Sequence, residues 1–221
     1  MVTLTKVNLV MTDQKNTNLP QQSVSFAKGL FLGSLYQNQI FPYPEIKKGE
    51  LETLTLVLDS IDKFMAGYSE QYREFDKKGE QPADYIEKLK ELGLFGLIIP
   101  EEHGGLGFSN AAYSRAIQQS SRIDASTSLT IGAHSSIGMK GLLLFGTEEQ
   151  KAKYLPKLAS GEMVAAFCLT EPGSGSDAAS IKTSAKKESD GSWTLNGEKI
   201  WITNGAFAEF FTVFAKTDSP D

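Results

Sequence analysis

The chain is poor in the residues that most often carry chemistry. Cysteine occurs once, at Cys168, and histidine twice, at His103 and His134. One cysteine makes no internal disulfide and no C-x-x-C zinc site, although it fits a reducing compartment. The two histidines lack i, i+4 spacing and Cys/His company, so no metal site is expected. Positive charge is also short. Against 27 Asp and Glu stand 22 Lys and Arg, a formal charge of −5, which counts against a nucleic-acid carrier, since one would normally show a basic face. No apolar run approaches the roughly 20 residues of a membrane helix; the longest candidate, 137–145, is interrupted by Gly138, Lys140 and Gly141. Arginine is missing before Arg73, so residues 1–22 do not read as an Arg-rich import sequence. They are expected to be a flexible arm, or what remains once an import signal is removed.

What is present is a globular mixture. The 221 residues are 40% hydrophobic and 22% charged, which argues against disorder and fibrous repeats and suffices for one large or two small domains. Leu51, Leu54, Leu58, Ile61, Met65, Tyr68 and Tyr72 step by three and four, one stripe on a long helix. Pro82, followed by Tyr85, Ile86, Leu89 and Leu92 with Gly93 behind, reads as a second helix. Residues 95–100 read as a short extended piece leading into the glycine loop His103-Gly-Gly-Leu-Gly107. Ser109 or Asn110 can cap a third helix. A fourth, over 126–145, is apolar on nearly every side and is expected to be buried all round. Thr147 and Gln150 make a capping box for a fifth, whose last turn Pro156 should bend.

Near Met163 the pattern changes. Residues 164–169 form an apolar run of strand length, and Thr170-Glu-Pro-Gly-Ser-Gly-Ser-Asp177 follows as a loop. Residues 193–195 and 198–203 flank Asn196-Gly197, a dipeptide suited to a type I′ hairpin turn. Residues 210–216 read as one more strand. Helices first and strands second imply an α+β chain: an arm over 1–22, a helical domain over 23–162, and the beginning of a β domain over 163–221. So few strands rarely finish a sheet, and the sequence reads as truncated.

Three constellations could carry chemistry. His134 with Ser135 and Ser136 is no triad, because adjacent helical residues point apart; a buried histidine with a hydrogen-bond partner is the expected outcome. Gly173-x-Gly175-x-x-Ala178 matches a dinucleotide loop after a strand. That reading requires a helix directly behind it, and residues 178–192 show no helical stripe. The third is a phosphate- or flavin-contacting loop on a β domain, with Ser174 and Ser176 as donors. Strand alternation would then put Trp201 and Thr203 on one face and Ile200 and Ile202 on the other.

Phe167-Cys-Leu-Thr-Glu-Pro-Gly-Ser-Gly-Ser-Asp177 and Asn196-Gly-Glu-Lys-Ile-Trp-Ile-Thr-Asn-Gly205 resemble the flavin-binding signature of acyl-CoA dehydrogenases. The resemblance extends through Pro100-Glu-Glu-His-Gly-Gly-Leu-Gly107 and Gly146-Thr-Glu-Glu-Gln-Lys-Ala-Lys-Tyr-Leu-Pro156. Ser25-Phe-Ala-Lys-Gly-Leu-Phe-Leu-Gly33, Phe41-Pro-Tyr-Pro44 and Gly132-Ala-His-Ser-Ser-Ile-Gly138 resemble the very-long-chain branch, which includes a sister used in complex I assembly.

The resemblance implies an N-terminal helical domain, a barrel-like middle β domain, and a C-terminal helical domain absent from this chain, with FAD between the last two. By that likeness Phe167, Leu169 and Thr170 line the isoalloxazine. Gly175 and Ser176 lie at the phosphates, Ser176 also at the acyl-CoA entry. Trp201, Ile202 and Thr203 pack against or hydrogen-bond the flavin. The implied reaction is α,β-dehydrogenation of a long-chain acyl-CoA, with electrons passing to electron-transfer flavoprotein. The base is a glutamate expected beyond Asp221, and Glu101, Glu102 and Glu171 are not substitutes for it. The resemblance further implies a mitochondrial, homodimeric protein with possible inner-membrane association through the C-terminal part. Complex I assembly, and an autonomous helical interaction module, are the alternative functions.

Overall fold

The computed structural model describes residues 25–217, and these belong to two compact units divided between Glu45 and Ile46. Residues 1–22, the expected arm, lie outside the described residues. In the first unit Ser25 caps α1 (Phe26–Phe31), its hydroxyl accepting the Lys28 amide, and Phe31, Leu32, Phe41 and Tyr43 stand exposed.

In the second unit α2 (Lys48–Ala66) buries Leu54, Ile61 and Met65, as its apolar spacing requires. The stripe was expected to continue to Tyr72; the helix ends at Ala66, and the chain turns before α3 (Tyr72–Lys78). The turn gathers Phe64, Tyr68, Tyr72 and Phe75 around the fully buried Tyr85, at ring separations of 4.9–6.1 Å. Tilted and edge-on aromatic contacts of this kind favour bending over a straight helix. Tyr85 lies on α4 (Ala83–Glu91), which starts directly after Pro82. Ser109 caps α5 (Asn110–Ile123), its hydroxyl accepting the Ala112 amide at 3.3 Å.

The piece expected to be extended, 95–100, is instead a series of buried turns. Its backbone folds against the glycine loop through Leu106 N–H to Gly96 O (2.9 Å), Gly107 N–H to Ile99 O (2.8 Å) and Phe108 N–H to Leu97 O (2.8 Å). The approach is so close that a Cβ on Gly105 would lie 2.6 Å from the Gly96 carbonyl oxygen.

The single helix expected over 126–145 is three pieces: α6 (Ala125–Gly132), a π-helical stretch (Ala133–Gly138) and α7 (Lys140–Phe145). It is not buried all round, since Leu129, Leu144 and Phe145 are exposed. Side chains and amides from the β region take bonds along this stretch: Thr212 Oγ1 donates to Gly138 O (2.6 Å), and His134 Nδ1 accepts the Ala165 amide (2.9 Å). Insertions of this kind are an ordinary cause of π-bulges. The last helix, α8 (Glu148–Ser160), carries the expected capping box and holds Pro156 within it.

β1 (Ala165–Cys168) pairs in parallel with β4 (Phe210–Val213), Phe167 opposite Thr212. A second sheet has the order β3–β2–β5, with β2 (Ser184–Lys187) antiparallel to β3 (Trp193–Asn196) and parallel to β5 (Lys216–Thr217). The strand expected over 210–216 thus changes partner along its length. Phe214 N–H still bonds Cys168 O, whereas Lys216 N–H bonds Thr183 O, so one segment joins both sheets. Val164 and Ala165 share the hydrophobic core of the helices, which fixes β1 on the helical layer.

The expected Asn196-Gly197 hairpin does not form. β3 pairs backward with β2 through the turn at Asp190-Gly191, where Gly191 has φ 86°. Asn-Gly and Asp-Gly both suit such turns; packing decided between them. Gly197 instead lies against Thr183, whose Cα would be 2.6 Å from an added Cβ. Residues 197–203 form no strand, so the alternation inferred for Ile200, Trp201, Ile202 and Thr203 has no pleated backbone to rest on.

Candidate functional site

Glu171 organises the loop after β1. It is buried, and its carboxylate accepts the Lys182 amide (2.6 Å), the Thr183 amide (2.9 Å), Thr183 Oγ1 (2.5 Å) and Lys199 Nζ (2.8 Å). The Lys199 ammonium and these hydrogen bonds hold the Glu171 carboxyl far below the usual carboxylate range. Lys199 Nζ also donates to Leu169 O (3.0 Å), and Ile200 N–H to Thr170 O (2.9 Å). One buried ion pair therefore brings the 169–171 stretch beside 199–200.

Beyond Ile200 the backbone leaves the ordinary regions. Trp201 has φ 58° and Asn204 has φ 66°. Asparagine tolerates that region, whereas for a large aromatic it is an outlier. Trp201 is 86% exposed. Asn204 is buried, and its Nδ2 donates to Thr130 O (3.0 Å) and Ala165 O (3.3 Å), tying the turn to α6 and β1. Thr203, Asn204 and Phe207 face Leu129, Thr130 and Asp124 across a cleft of about 500 Å³.

The residues singled out from sequence are distributed as follows. Phe167 is half-buried on β1, its ring 5.0 Å from that of Phe214. Leu169 and Thr170 are half-buried and bonded to the 199–200 segment through their carbonyls. Gly175 and Ser176 are exposed, and their amides and the Ser176 hydroxyl make no hydrogen bond among the described residues. Ile202 is half-buried, its carbonyl accepting the Gly205 amide, and Thr203 is exposed at the cleft. The structure thus unites Leu169 and Thr170 with the Trp201 segment by hydrogen bonds. Gly175 and Ser176 share no such bond with it.

Sequence reasoning missed Lys199 and Asn204 as organisers. The only signal for Asn204 was its place before Gly205, a turn dipeptide.

His134 is fully buried, as expected for a satisfied core histidine. Because Nδ1 accepts the Ala165 amide, the proton sits on Nε2, which meets no hydrogen-bond partner among the described residues. Burial pushes its pKa down to about 4, against a smaller opposing effect of the Leu158 and Phe95 carbonyls. Burial likewise pushes the Cys168 thiol up. Among the described residues no group of three or more His, Cys, Asp or Glu could hold a metal, and no helix is long and apolar enough to cross a membrane. The short helical turn at Ala178–Ser180 behind the glycine loop is no dinucleotide-binding helix.

A helical layer with two small sheets joined to it, a loop organised by a buried ion pair, and an exposed indole on a tight turn are the features to be matched. Residues 52–162 match the acyl-CoA dehydrogenase N-terminal domain and residues 166–221 the acyl-CoA dehydrogenase middle domain. The chain belongs to the acyl-CoA dehydrogenase family, a family of FAD-dependent oxidoreductases.

It is 48% identical over 202 residues to the very long-chain specific acyl-CoA dehydrogenase, mitochondrial, of Rattus norvegicus, covering 90% of this chain and 31% of that protein. A Bacillus anthracis acyl-CoA dehydrogenase complexed with FAD superposes with a TM-score of 0.68 at 38% identity, over 84% of this chain and 31% of that one. A chain from a structure of the electron transferring flavoprotein of Acidaminococcus fermentans superposes with a TM-score of 0.71 at 36% identity, over 79% and 45%. The chain therefore spans about a third of the length of the curated very-long-chain relatives it matches.

Proposed function

We propose that this chain forms the flavin- and acyl-contacting part of a mitochondrial FAD-dependent dehydrogenase. Its substrate is a long or very-long-chain acyl-CoA, and its electron acceptor an electron-transfer flavoprotein. The observation that carries the flavin reading is Trp201, an indole 86% exposed and held at φ 58° beside Thr203. A large aromatic held at positive φ is the kind of outlier found at ligand sites, and a flat ring system suits its open face. FAD fits the donors present, because the unbonded Gly175 and Ser176 amides and the Ser176 hydroxyl supply hydrogen bonds to an anion. The mitochondrial, very-long-chain and electron-transfer assignments rest on likeness to the rat enzyme and the Acidaminococcus structure.

In this reading residues 163–221 are the flavin-contacting region, attached to a helical domain over 23–162. Phe167, Leu169, Thr170, Gly175, Ser176, Trp201, Ile202 and Thr203 contact the cofactor, and Ser176 also meets the acyl-CoA. FAD held by these residues would supply the hydride acceptor for the β hydrogen of the acyl chain. The chain's own residues do the rest. Trp201 and Thr203 exclude water from one side of the ring, and Thr203 offers a hydroxyl at the cleft. The cleft, with Leu129 and Phe207 among its walls, admits the apolar tail. Glu171 is no base for the α proton: its oxygens are taken by Lys199, Thr183 and two amides, and a catalytic base must reach its proton. Glu171 therefore serves as an organiser of the loop and not as the base.

Titrating the purified chain with FAD, followed by flavin fluorescence and with NADH as control, tests the reading. Saturable FAD binding, weakened on the order of tenfold by Trp201→Ala, is expected. NADH binding without FAD binding would overturn it.

A further inference from the structure

The segment carrying Trp201 is held at its two ends by side chains outside the cofactor set. At one end Lys199, half-buried, donates to Leu169 O (3.0 Å) and to Glu171 (2.8 Å). At the other Asn204, 6% exposed, donates to Thr130 O on α6 (3.0 Å) and Ala165 O on β1 (3.3 Å), while its carbonyl accepts the Phe207 and Ala208 amides. Between these points the amides of Trp201, Ile202 and Thr203 make no hydrogen bond among the described residues. Among the described residues no hydrogen bond of its own holds Trp201 at φ 58°, a conformation that costs of the order of 1–3 kcal/mol unless its surroundings impose it. What imposes it is the pair of anchors, together with the bonds Ile200 N–H to Thr170 O (2.9 Å) and Gly205 N–H to Ile202 O (2.9 Å): with both ends fixed, the short span between them has little freedom left.

We propose that Lys199 and Asn204 are positioning residues that clamp the 199–204 segment and hold Trp201 outward, ready to cover a flat ligand. The proposal rests on the flavin reading for what Trp201 is held for, but the clamp itself is a property of this chain. Asn204 has a second consequence. Its amide joins the Trp201 turn to Thr130, and Thr130, Thr203 and Asn204 all line the cleft. One side chain therefore sets both the indole's place and the adjoining cleft wall.

The chain has two tryptophans, Trp193 and Trp201, so Trp193→Phe leaves Trp201 as the sole emitter. In that background the time-resolved anisotropy of Trp201 and its quenching by added FAD are measured for three variants. Asn204→Gly keeps the permitted φ and loses the amide. Lys199→Met removes one anchor. The double variant Glu171→Gln/Lys199→Met removes that anchor without leaving a buried carboxylate unpaired, which protects the test against simple unfolding. Circular dichroism confirms that each variant retains its helices.

In the parent, the exposed indole has its own fast side-chain component, and the remaining anisotropy should decay with the tumbling of the whole chain. In Asn204→Gly and in the double variant, that slowly decaying fraction should fall as backbone motion of the segment adds to it, and FAD should bind on the order of tenfold more weakly. Parent-like anisotropy in both would overturn the clamp, whatever FAD does. Anisotropy that changes as expected while FAD affinity stays at the parent's level would support the clamp and overturn the reading that Trp201 is held for the flavin.

Discussion

Glu171 and Lys199 form the one ion pair among the described residues with both partners nearly buried, at 6% and 11% side-chain exposure. Buried pairs of this kind are costly to break, because removing one partner strands the other charge. The Glu171 carboxyl binds its proton more weakly in the folded chain than at its ordinary value of 4.5. As pH falls below that value the unfolded chain takes up the proton first, so this contribution to stability is complete at neutral pH and is lost in acid. His134 acts in the same direction over a different window. Held neutral down to about 4 against an ordinary 6.5, it makes the unfolded chain the better proton acceptor as pH drops below 6.5. Urea midpoints measured between pH 7 and pH 3 should therefore decline in two stages, and Glu171→Gln should abolish the lower stage only. A decline in that variant that keeps both stages would show the carboxylate to be immaterial. Both residues were visible as letters of recognisable motifs, but their partnership was not, since 28 positions separate them and no local pattern spans that distance.

The elements that formed as expected are those whose instructions are local. The Thr147–Gln150 box and the Ser109 cap are each complete within three residues. Thr147→Ala should cost about 1 kcal/mol, read as a lowered thermal midpoint, with no change in FAD affinity because α8 lies apart from the proposed cofactor set. The elements that departed from expectation are those where a second element intervened. Buried turns replaced an extended 95–100 because the glycine loop returned to bond it, and Gly105→Ala should cost at least about 1–3 kcal/mol by forcing a Cβ against the Ile99 and Gly96 carbonyls. A thermal melt equal to wild type would show that the approach can relax. The long helix became α6, a π-helical stretch and α7 because residues from the β region engage it. Two turn dipeptides competed for the hairpin, and pairing with β2 selected Asp190-Gly191.

At the scale of the molecule, family membership was legible because the signature stretches at 167–177 and 196–205 are long and ordered. A ligand that binds only the folded state raises stability by RT ln(1 + [L]/Kd), about 2.7 kcal/mol at a hundred times Kd. FAD should therefore raise the thermal midpoint of the chain, and Trp201→Ala should reduce that rise at fixed FAD. With the Glu171 carboxylate taken up by Lys199, Thr183 and two amides, residues 1–221 alone should show no turnover of a long-chain acyl-CoA with an artificial electron acceptor. Turnover would place a competent base within this chain.

Composition, caps and apolar spacing determined by themselves an α+β chain with helices first, because each depends on neighbours within about one turn or one strand. The same sequence carried Trp201 and Thr203 as candidate cofactor residues, but for a reason that did not survive. They were assigned to one face of a strand, and no strand exists there. Their exposure comes from a strained turn, fixed by Lys199 on Leu169 and Glu171 and by Asn204 on Thr130 and Ala165. Those bonds join residues 28 to 74 positions apart, so only the tertiary structure, which decides which distant carbonyls a buried side chain can reach, could set them.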